Sequence, residues 1–302
     1  EGVPLFRPYA RVDRMKLKCK LLGRCVEWGV GFLESYVDSI EHGDDKSTVT
    51  CAGGRKIFSK CVLDATGHSR RLVEFDKDFT PGYQAAYGIM AEVESHPFDL
   101  DTMVFMDWRD EHLEPEAKKR NEVLPTFLYA MPFTPTKIFL EETSLVARPQ
   151  VEFDDLKERL EQRLAHLGVK VKSVEEEEYC LIPMGGVLPK LPQRVLGIGG
   201  TAGMVHPSTG YMIARTLSSA DSFVDALEEG LKEQAAGGKS VQQVCEDVWG
   251  KIWPDEEQRQ RTFMQFGMEV LMELDIHGTR RFVNTIFKLP DKWWGGYMAR
   301  RM

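Results

Sequence analysis

The sequence predicts a mixed α/β (α+β) protein in which an α/β frame is interrupted by an antiparallel sheet. Three observations predict this. An apolar strand followed by small residues occurs twice, at 62–67 and at 194–203. Between these two places, several short segments alternate apolar and polar residues, which is typical of half-buried strands. After about residue 239, the spacing of apolar residues is mainly helical, and Phe, Met and Trp are frequent.

The N-terminal part predicts one helix and a pair of strands. Residues 12–33 carry apolar residues at helical spacing, and the helix should end near Gly29. The alternating segments 35–42 and 47–67 predict strands. Between the strands of the second segment we expect a hairpin turn at Gly53 and Gly54, because paired glycines favour tight turns.

The central part predicts a sheet followed by a helix. Strands are expected at 83–94, 102–109, 126–133 and 137–148. Residues 154–169 have leucines at helical spacing, and we expect the polar residues of this helix to form a solvated face. We interpret the four glutamates at 175–178 as a solvated charge run. Residues 194–231 predict a strand, a glycine-rich turn and a helix.

Composition excludes several classes of function. The 302 residues carry a formal net charge of −8, which lacks the basic field that nucleic acid binding needs. No apolar run approaches the roughly 18 residues of a membrane-spanning helix. The six cysteines form no C-x-x-C pair and the histidines show no ligand spacing, so we expect no metal site.

Two motifs suggest a ligand site at strand ends. Small residues let a ligand approach the backbone closely at the carboxyl end of a strand, although a simple strand-to-loop turn explains the first motif equally well. A glycine-rich turn before a helix favours an anionic phosphate or the edge of a flavin ring. The spacing of the second motif misses the dinucleotide pattern G-x-G-x-x-G by one residue. The candidate cofactor-binding residues are Asp64, Ala65, Thr66, Gly67, Gly197, Gly199, Gly200, Thr201, Ala202, Gly203, Pro207 and Gly210.

Several strings, taken in their order, resemble the plant and algal lycopene β-cyclases from about residue 7 to the end of the chain. They are DATGHSRRLV, PGYQAAYGIMAEVE, MVFMDWRD, PTFLYAMPF, FLEETSLVARP, IPMGG and GIGGTAGMVHPSTGYM. The resemblance implies a flavin-dependent fold like that of aromatic hydroxylases: an incomplete Rossmann-like FAD frame with an inserted substrate-binding sheet and C-terminal helices. The implied domains are 1–75 (partial FAD-binding), 76–193 (substrate sheet plus helix), 194–235 (FAD-binding strand, turn and helix) and 236–302 (helical).

The resemblance also implies the activity. The family closes β-ionone rings at the ends of lycopene, through γ-carotene to β-carotene, with reduced FAD and with NADPH as the reductant. Lycopene and other linear carotenoids are therefore the expected substrates, and a membrane-associated enzyme of the chloroplast or another plastid is the expected setting, with other enzymes of the pathway as partners. The alternatives are a capsanthin/capsorubin-type ketocarotenoid synthase, a flavin hydroxylase or prenyl reductase of the same fold, and a fragment without activity.

Two adjacent glutamates, Glu141 and Glu142, lie inside an otherwise mostly apolar strand. Strand alternation sends them to opposite faces, and the sequence alone does not say which face forms the pocket. Protonating an olefin needs a neutral acid, and burial raises the pKa of a carboxyl. The resemblance implies that Glu141 is this acid and that Glu142 assists it or orients its neighbours. From the residues alone, one glutamate could equally face solvent while the other pairs with Arg148.

Other side chains are candidates for supporting roles. Trp108, Phe127 and Tyr129 could stabilise a carbocation through their π-faces or could be plain core, and Phe139 shares the face of Glu141. His206 could relay a proton or contact the flavin, or could cap the next helix. Asp107 could be a second carboxylate beside the substrate, or could simply pair with Arg109.

The two ends of the chain raise two further expectations. The C-terminal segment 263–301 mixes Phe, Met and Leu with Arg, Lys and Trp, which suggests either an element in the bilayer interface or a helix packed on the core. The N-terminal dinucleotide motif and the hydrophobic C-terminal tail of the family do not occur in this sequence. We therefore expect the chain by itself to bind FAD poorly and to be inactive.

Overall fold

The computed structural model describes residues 2–78 and 80–299. The chain divides into two units, the first ending at Lys60 and the second beginning at Cys61. In the first unit, helix α1 (Arg14–Glu27) begins where the Asp13 carboxylate accepts a hydrogen bond from the backbone N–H of Lys16, at 2.9 Å. The helix is followed by Gly29 in the left-handed region, at φ 73°, as the sequence predicts.

Three antiparallel strands complete the first unit. They are β1 (Val37–His42), β2 (Ser47–Cys51) and β3 (Lys56–Ser59), in the order β1-β2-β3. Gly53 and Gly54 both have φ 78° between β2 and β3, a conformation that a glycine adopts without strain. The predicted hairpin turn is therefore confirmed.

In the second unit, a short parallel pair brings the two small-residue motifs together. Strand β4 (Val62–Asp64) pairs with β10 (Val195–Gly197), and Asp64 lies opposite Gly197. Parallel strands end at the same edge, so the DATG turn and the glycine-rich turn lie side by side. Their contact is direct, since a Cβ on Gly200 would lie 3.1 Å from the His68 ring.

A five-stranded antiparallel sheet lies between these two motifs in sequence. Its order is β6-β7-β8-β5-β9. The strands are β5 (Gly82–Val93), β6 (Val104–Asp107), β7 (Thr126–Pro132), β8 (Lys137–Ser144) and β9 (Val171–Met184). Strand β9, which was not predicted, contains the four glutamates; Glu175, Glu176 and Glu177 are exposed, as expected for a solvated charge run, whereas Glu178 is partly buried. As an edge strand, β9 bonds through its backbone to β5 and leaves most of its acidic side chains in water.

Helix α3 (Phe153–His166) packs on one face of this sheet. Its buried leucines, Leu156, Leu160 and Leu164, join the core that strands β5, β7 and β8 form. The expectation that its polar residues are all solvated is wrong, because Arg159 and Arg163 are 0% and 3% exposed. Each guanidinium is paired with a carboxylate, which is the condition for burying a charge. The preceding short helix α2 (Pro115–Val123) was not predicted.

The C-terminal part is helical, as predicted. The helices are α4 (Ile213–Ala235), α5 (Val241–Ile252), α6 (Asp255–Met272), α7 (Ile276–Ile286) and α8 (Asp291–Ala299). Helix α4 begins at Ile213, after a turn formed by residues 206–212. Among the helices of residues 2–78 and 80–299, none is both long enough and apolar enough to cross a bilayer.

Candidate functional site

The two adjacent glutamates point to opposite faces of the five-stranded sheet. Leu128 lies opposite Glu142 in β7, and Tyr129 lies opposite Glu141. Leu128 belongs to the core under α3, so Glu142 faces that helix. We call the two sides the Glu142 face, which α3 covers, and the Glu141 face, which also carries Phe139, Tyr129 and Gly88. The structure thus shows which face of the sheet each of the two glutamates occupies, which strand alternation alone left open.

Glu142 is part of a buried ion pair. Its carboxylate is 0% exposed and accepts hydrogen bonds from Arg163 Nε at 2.8 Å and Nη2 at 3.0 Å. Thr126 donates a third, at 2.6 Å. Arg163 also donates to the carbonyl of Arg109, at 2.9 Å. All these contacts lie on the Glu142 face of the sheet, so Glu142 holds α3 in place. Arg148, which the sequence offered as a partner for one of the two glutamates, pairs with Glu269.

Glu141 lies in apolar surroundings on the other face. Gly88 of β5 lies opposite it on one side and Tyr129 of β7 on the other. Because Gly88 has no side chain, the Phe139 ring lies over this position, and a Cβ there would come within 3.0 Å of Phe139 Cζ. Burial, followed by the nearby charge of Glu178, raises the pKa of Glu141 to about 7. Glu141 is therefore an acid that is about half protonated at pH 7.

Aromatic residues line the Glu141 face. Tyr129 and Phe139 lie edge to face, with ring centroids 6.3 Å apart, and both remain partly exposed. Trp108 and Phe127 lie further along the face, with centroids 4.6 Å apart, and are buried against Ile276 of α7. The four predicted substrate-binding residues thus divide into an accessible pair and a buried pair. Only the accessible pair flanks Glu141.

Asp107 does not join Glu141. It lies opposite Leu128, on the Glu142 side of the sheet. Its carboxylate accepts hydrogen bonds from Arg109 Nε at 2.9 Å and Nη2 at 2.6 Å. Burial alone would raise the pKa of Asp107, but the hydrogen bonds from Arg109 outweigh it and the net shift is downward. Of the two interpretations that the sequence allowed, the structure shows pairing with Arg109.

His206 is tied into the turn before α4. Its Nδ1 accepts a hydrogen bond from the Ser208 N–H at 3.1 Å, so its Nε2 carries the hydrogen and donates to the Tyr297 carbonyl at 2.9 Å. The ring is 2% exposed. Both nitrogens are engaged by backbone groups, which makes His206 a residue that holds the turn to α8. The structure does not bring it to Glu141 as a proton relay.

The turn at 206–212 nevertheless contacts the Glu141 face. A Cβ on Gly210 would lie 2.4 Å from Gln84 Oε1 and 3.8 Å from Ile182 Cδ1. Gln84 Nε2 in turn lies 3.5 Å from Thr143 Oγ1, two residues along β8 from Glu141. The glycine-rich region and the candidate acid are therefore linked over one continuous face of the sheet.

The candidate cofactor residues divide into two groups. The carboxylate of Asp64 is engaged within its own loop. It accepts hydrogen bonds from the Thr66 N–H at 2.8 Å, from Thr66 Oγ1 at 2.6 Å and from the Leu72 N–H at 3.1 Å. Ala202 is also internal, since Trp253 Nε1 donates to its carbonyl at 2.7 Å. Several glycines approach other protein atoms where a Cβ would crowd them; these are Gly197, Gly200, Gly203 and Gly210. Gly199 and Pro207 are buried in the same turn.

The remaining residues leave backbone at the carboxyl ends of β4 and β10. Ala65 and Thr66 are exposed there, and Gly67 is partly exposed. A narrow cleft lies at the junction of the two motifs, lined among others by His68, Arg70, Phe75, Gly200 and Thr201. Thr201 Oγ1 donates to the Gly67 carbonyl at 2.9 Å, which joins the two motifs. Exposed backbone at adjoining ends of parallel strands fits a nucleotide cofactor.

Sequence reasoning missed four residues of this site. Gly88 and Glu178 flank Glu141 across the sheet, Gln84 bridges to the turn, and Arg163 neutralises Glu142. Glu178 and Arg163 were hidden in stretches that look like solvated charges. Alternation along a recognised β9 could have singled out Glu178, whereas the pairing of Arg163 depends on how α3 packs.

Comparison with known proteins identifies the relationship. The family model described as lycopene cyclase protein matches residues 2–302. The chain belongs to the lycopene cyclase family. It is 54% identical to "Lycopene beta cyclase, chloroplastic" of Arabidopsis thaliana over 306 residues, covering 100% of the chain and 61% of that protein. The corresponding protein of an Oncidium hybrid cultivar is 56% identical, covering 99% of the chain and 62% of its own length.

The family also includes a different activity. "Capsanthin/capsorubin synthase, chromoplastic" of Citrus sinensis is 48% identical over 301 residues, covering 99% of the chain and 59% of that protein. The chain thus spans about three fifths of the length of the curated relatives that it matches.

Solved structures confirm the predicted fold class. A geranylgeranyl bacteriochlorophyll reductase-like protein of Thermoplasma acidophilum matches with a TM-score of 0.66 at 12% identity, covering 98% of the chain and 75% of that protein. The OxyS anhydrotetracycline hydroxylase of Streptomyces rimosus matches with a TM-score of 0.64 at 16% identity, covering 96% of the chain and 56% of that protein. The chain therefore has the mixed α/β fold of these two solved structures.

Proposed function

We propose that the protein carrying this chain is a lycopene β-cyclase, which converts lycopene through γ-carotene to β-carotene without net redox change. The observation that carries the proposal is Glu141. It is a carboxyl with a pKa raised to about 7 by burial, on a partly open face lined by Tyr129 and Phe139. Glu141 lies in the string FLEETSLVARP, which resembles the lycopene β-cyclases.

The chemistry begins with proton transfer from Glu141 to a terminal C=C bond of lycopene. Ring closure follows when a neighbouring double bond attacks the resulting cation, and loss of a proton from the ring restores neutrality. One proton enters and one leaves, so atoms and electrons balance. A carboxyl with a pKa near the working pH suits this role, because it is often protonated and still gives up its proton.

The surface around Glu141 suits a hydrocarbon. Met90, Met131 and Phe139 share its face of the sheet with Tyr129. Methionine packs adaptably against irregular apolar shapes. The rings of Tyr129 and Phe139 are placed to stabilise the cation, and a desolvated cation–π contact contributes about 2 kcal/mol. Trp108 and Phe127 lie further along the same face, where they pack against Ile276 of α7.

FAD in its reduced form is the cofactor that we propose, with NADPH as the reductant. The residues of this chain that would hold it are the exposed backbone of Ala65–Gly67 and the partly exposed glycines Gly200, Gly203 and Gly210. When bound, reduced FAD supplies negative charge that stabilises a carbocation. This chain's own contribution is to bind and orient the cofactor, and the link from Gly210 to Gln84 supports placing that cofactor beside the Glu141 face.

We further propose that the protein works at a plastid membrane. Support for the membrane comes from large apolar side chains that stay exposed on two C-terminal helices: Phe266 of α6 is 66% exposed and Trp293 of α8 is 59% exposed. Lys288 and Lys292, close to Trp293, are also exposed. Trp and Lys side chains are favoured where a helix meets the headgroup region.

The test is expression of the complete protein in bacteria that accumulate lycopene. We expect conversion to β-carotene, loss of conversion in Glu141→Gln, and retained conversion in Glu161→Gln, an exposed glutamate of α3. Conversion that survives Glu141→Gln would remove the acid from this role. Supplying an epoxycarotenoid instead tests for a ketocarotenoid synthase. Consumption of NADPH in proportion to product would indicate an oxidoreductase.

A further inference from the structure

A second carboxylate lies across the sheet from Glu141. Gly88 of β5 is opposite Glu141 of β8 on one side and opposite Glu178 of β9 on the other. Residues in register across a sheet point to the same face, so Glu141 and Glu178 flank a position without a side chain. Two strand spacings separate their backbones, about 10 Å, which two glutamate side chains reaching inward can shorten substantially.

The four glutamates of β9 are not equivalent. Glu175, Glu176 and Glu177 are exposed, whereas Glu178 is partly buried. Glu175 pairs with Lys137, with Nζ 2.5 Å from its carboxylate, and Glu177 accepts a hydrogen bond from Tyr87 at 2.6 Å on the Glu142 side. Glu178 is partly buried, and it lies on the same face of the sheet and in the same cross-strand row as Glu141.

We propose that Glu178 is a positioning residue of the active site, whose side chain lies on the same face and in the same cross-strand row as Glu141, beyond Gly88, and favours the protonated form of Glu141. This inference rests on the proposed function. Two carboxyls that share a site do not both ionise readily, so the negative charge of one holds the proton of the other. The pair thus divides the roles: one group donates the proton and the other maintains the charge that retains it.

The other titratable groups near Glu141 do not replace Glu178. On the same face, β7 contributes Tyr129, and β9 contributes Cys180 and the exposed Glu176. From α7, Arg280 is directed away, because it donates to the Trp108 carbonyl and pairs with Asp110 at 2.8 Å.

The geometry also explains why the central residue is glycine. A Cβ on Gly88 would lie 3.5 Å from Glu141 Cβ and 3.0 Å from the Phe139 ring. Any larger side chain would clash with the Phe139 ring, which already covers this position between the two glutamates. The Phe139 ring lies over this gap and limits the access of water, which would otherwise screen the charge of Glu178.

The experiment measures the protonation of Glu141 directly in the complete protein. Infrared difference spectra taken over a pH series follow the carbonyl band of a protonated carboxyl, assigned as the band that Glu141→Gln removes. We expect Glu178→Gln to lower the midpoint of this band by about one pH unit, since a like charge nearby shifts a pKa by that order. Glu176, an exposed neighbour on the same face, provides the matched control. Glu176→Gln should lower the midpoint of the band by less than about 0.3 pH unit.

The results for the variants and for the parent either support or overturn the proposed role of Glu178. Glu178→Asp keeps the charge and should keep the midpoint within about 0.5 unit of the parent. An unchanged midpoint in Glu178→Gln overturns the proposal, as does an equal fall in Glu178→Asp or in Glu176→Gln. The readout does not depend on turnover: a shifted midpoint in a protein that makes no cyclic product supports the carboxyl pair and contradicts the cyclase proposal alone.

Discussion

Replacing Glu141 by glutamine should change how the stability of the protein depends on pH. In the folded state the pKa of Glu141 is about 7, against an ordinary value of 4.5. Between these two pH values the folded protein keeps a proton that the unfolded chain has released. Stability therefore falls as pH rises through this window and levels off above it. Glutamine carries no charge at any pH, so the variant lacks this loss.

The size of the effect follows from the shift. A difference of about 2.5 pKa units corresponds to about 3 kcal/mol, at about 1.36 kcal/mol per unit. Parent and Glu141→Gln should be equally stable near pH 4. Near pH 8 the variant should be more stable by up to about 3 kcal/mol, although it forms no product. Such a gain in stability with a loss of activity is typical of a strained active site.

The assay is denaturant unfolding of the complete protein at a series of pH values. The free energy of unfolding of the parent, minus that of the variant, should change by about 3 kcal/mol between pH 4 and pH 8. Glu161→Gln, an exposed glutamate, should give a difference that does not vary with pH. A pH-independent difference for Glu141→Gln would mean that this carboxyl is ionised at neutral pH, and the proposed acid role would fail with it.

Three further changes test other parts of the site. Glu142→Gln should destabilise the protein by about 3 kcal/mol or more, because it leaves the buried Arg163 without its countercharge; thermal unfolding measures this. Gly88→Ala should lower kcat/KM about tenfold with the fold intact, because its methyl group presses on the Phe139 ring, and overpacking costs about 1–3 kcal/mol. His206→Ala should reduce the flavin content of the purified protein, because the turn loses two hydrogen bonds, while the pH profile of the remaining activity stays unchanged.

Each of these has its own control. The double variant Glu142→Leu/Arg163→Met should recover much of the lost stability, since a buried pair can be replaced by apolar side chains of similar volume. Gly88→Ala combined with Phe139→Leu should recover the thermal stability lost in Gly88→Ala, because the smaller side chain makes room for the methyl group, while turnover stays low because the aromatic ring is gone. A shifted pH profile in His206→Ala would contradict the assignment of both ring nitrogens to backbone groups.

Patterns local in the chain were sufficient to predict most elements. The alternation in β5, β7 and β8 and the leucine spacing of α3 follow from the requirement that one face of each element be buried. Gly29 and the Gly53–Gly54 turn followed from backbone freedom alone. Strand β9 was missed because an edge strand tolerates a run of charges, so its side chains carry no apolar alternation over 175–178.

The sequence by its own pattern established that Glu141 and Glu142 must point in opposite directions, because the side-chain period of a strand is two. Only the tertiary structure decided which of them is the candidate acid. Helix α3 covers one face and supplies Arg163, which neutralises Glu142, while burial on the other face raises the pKa of Glu141. Burial and pairing arise from residues distant in sequence, and strand periodicity does not encode them.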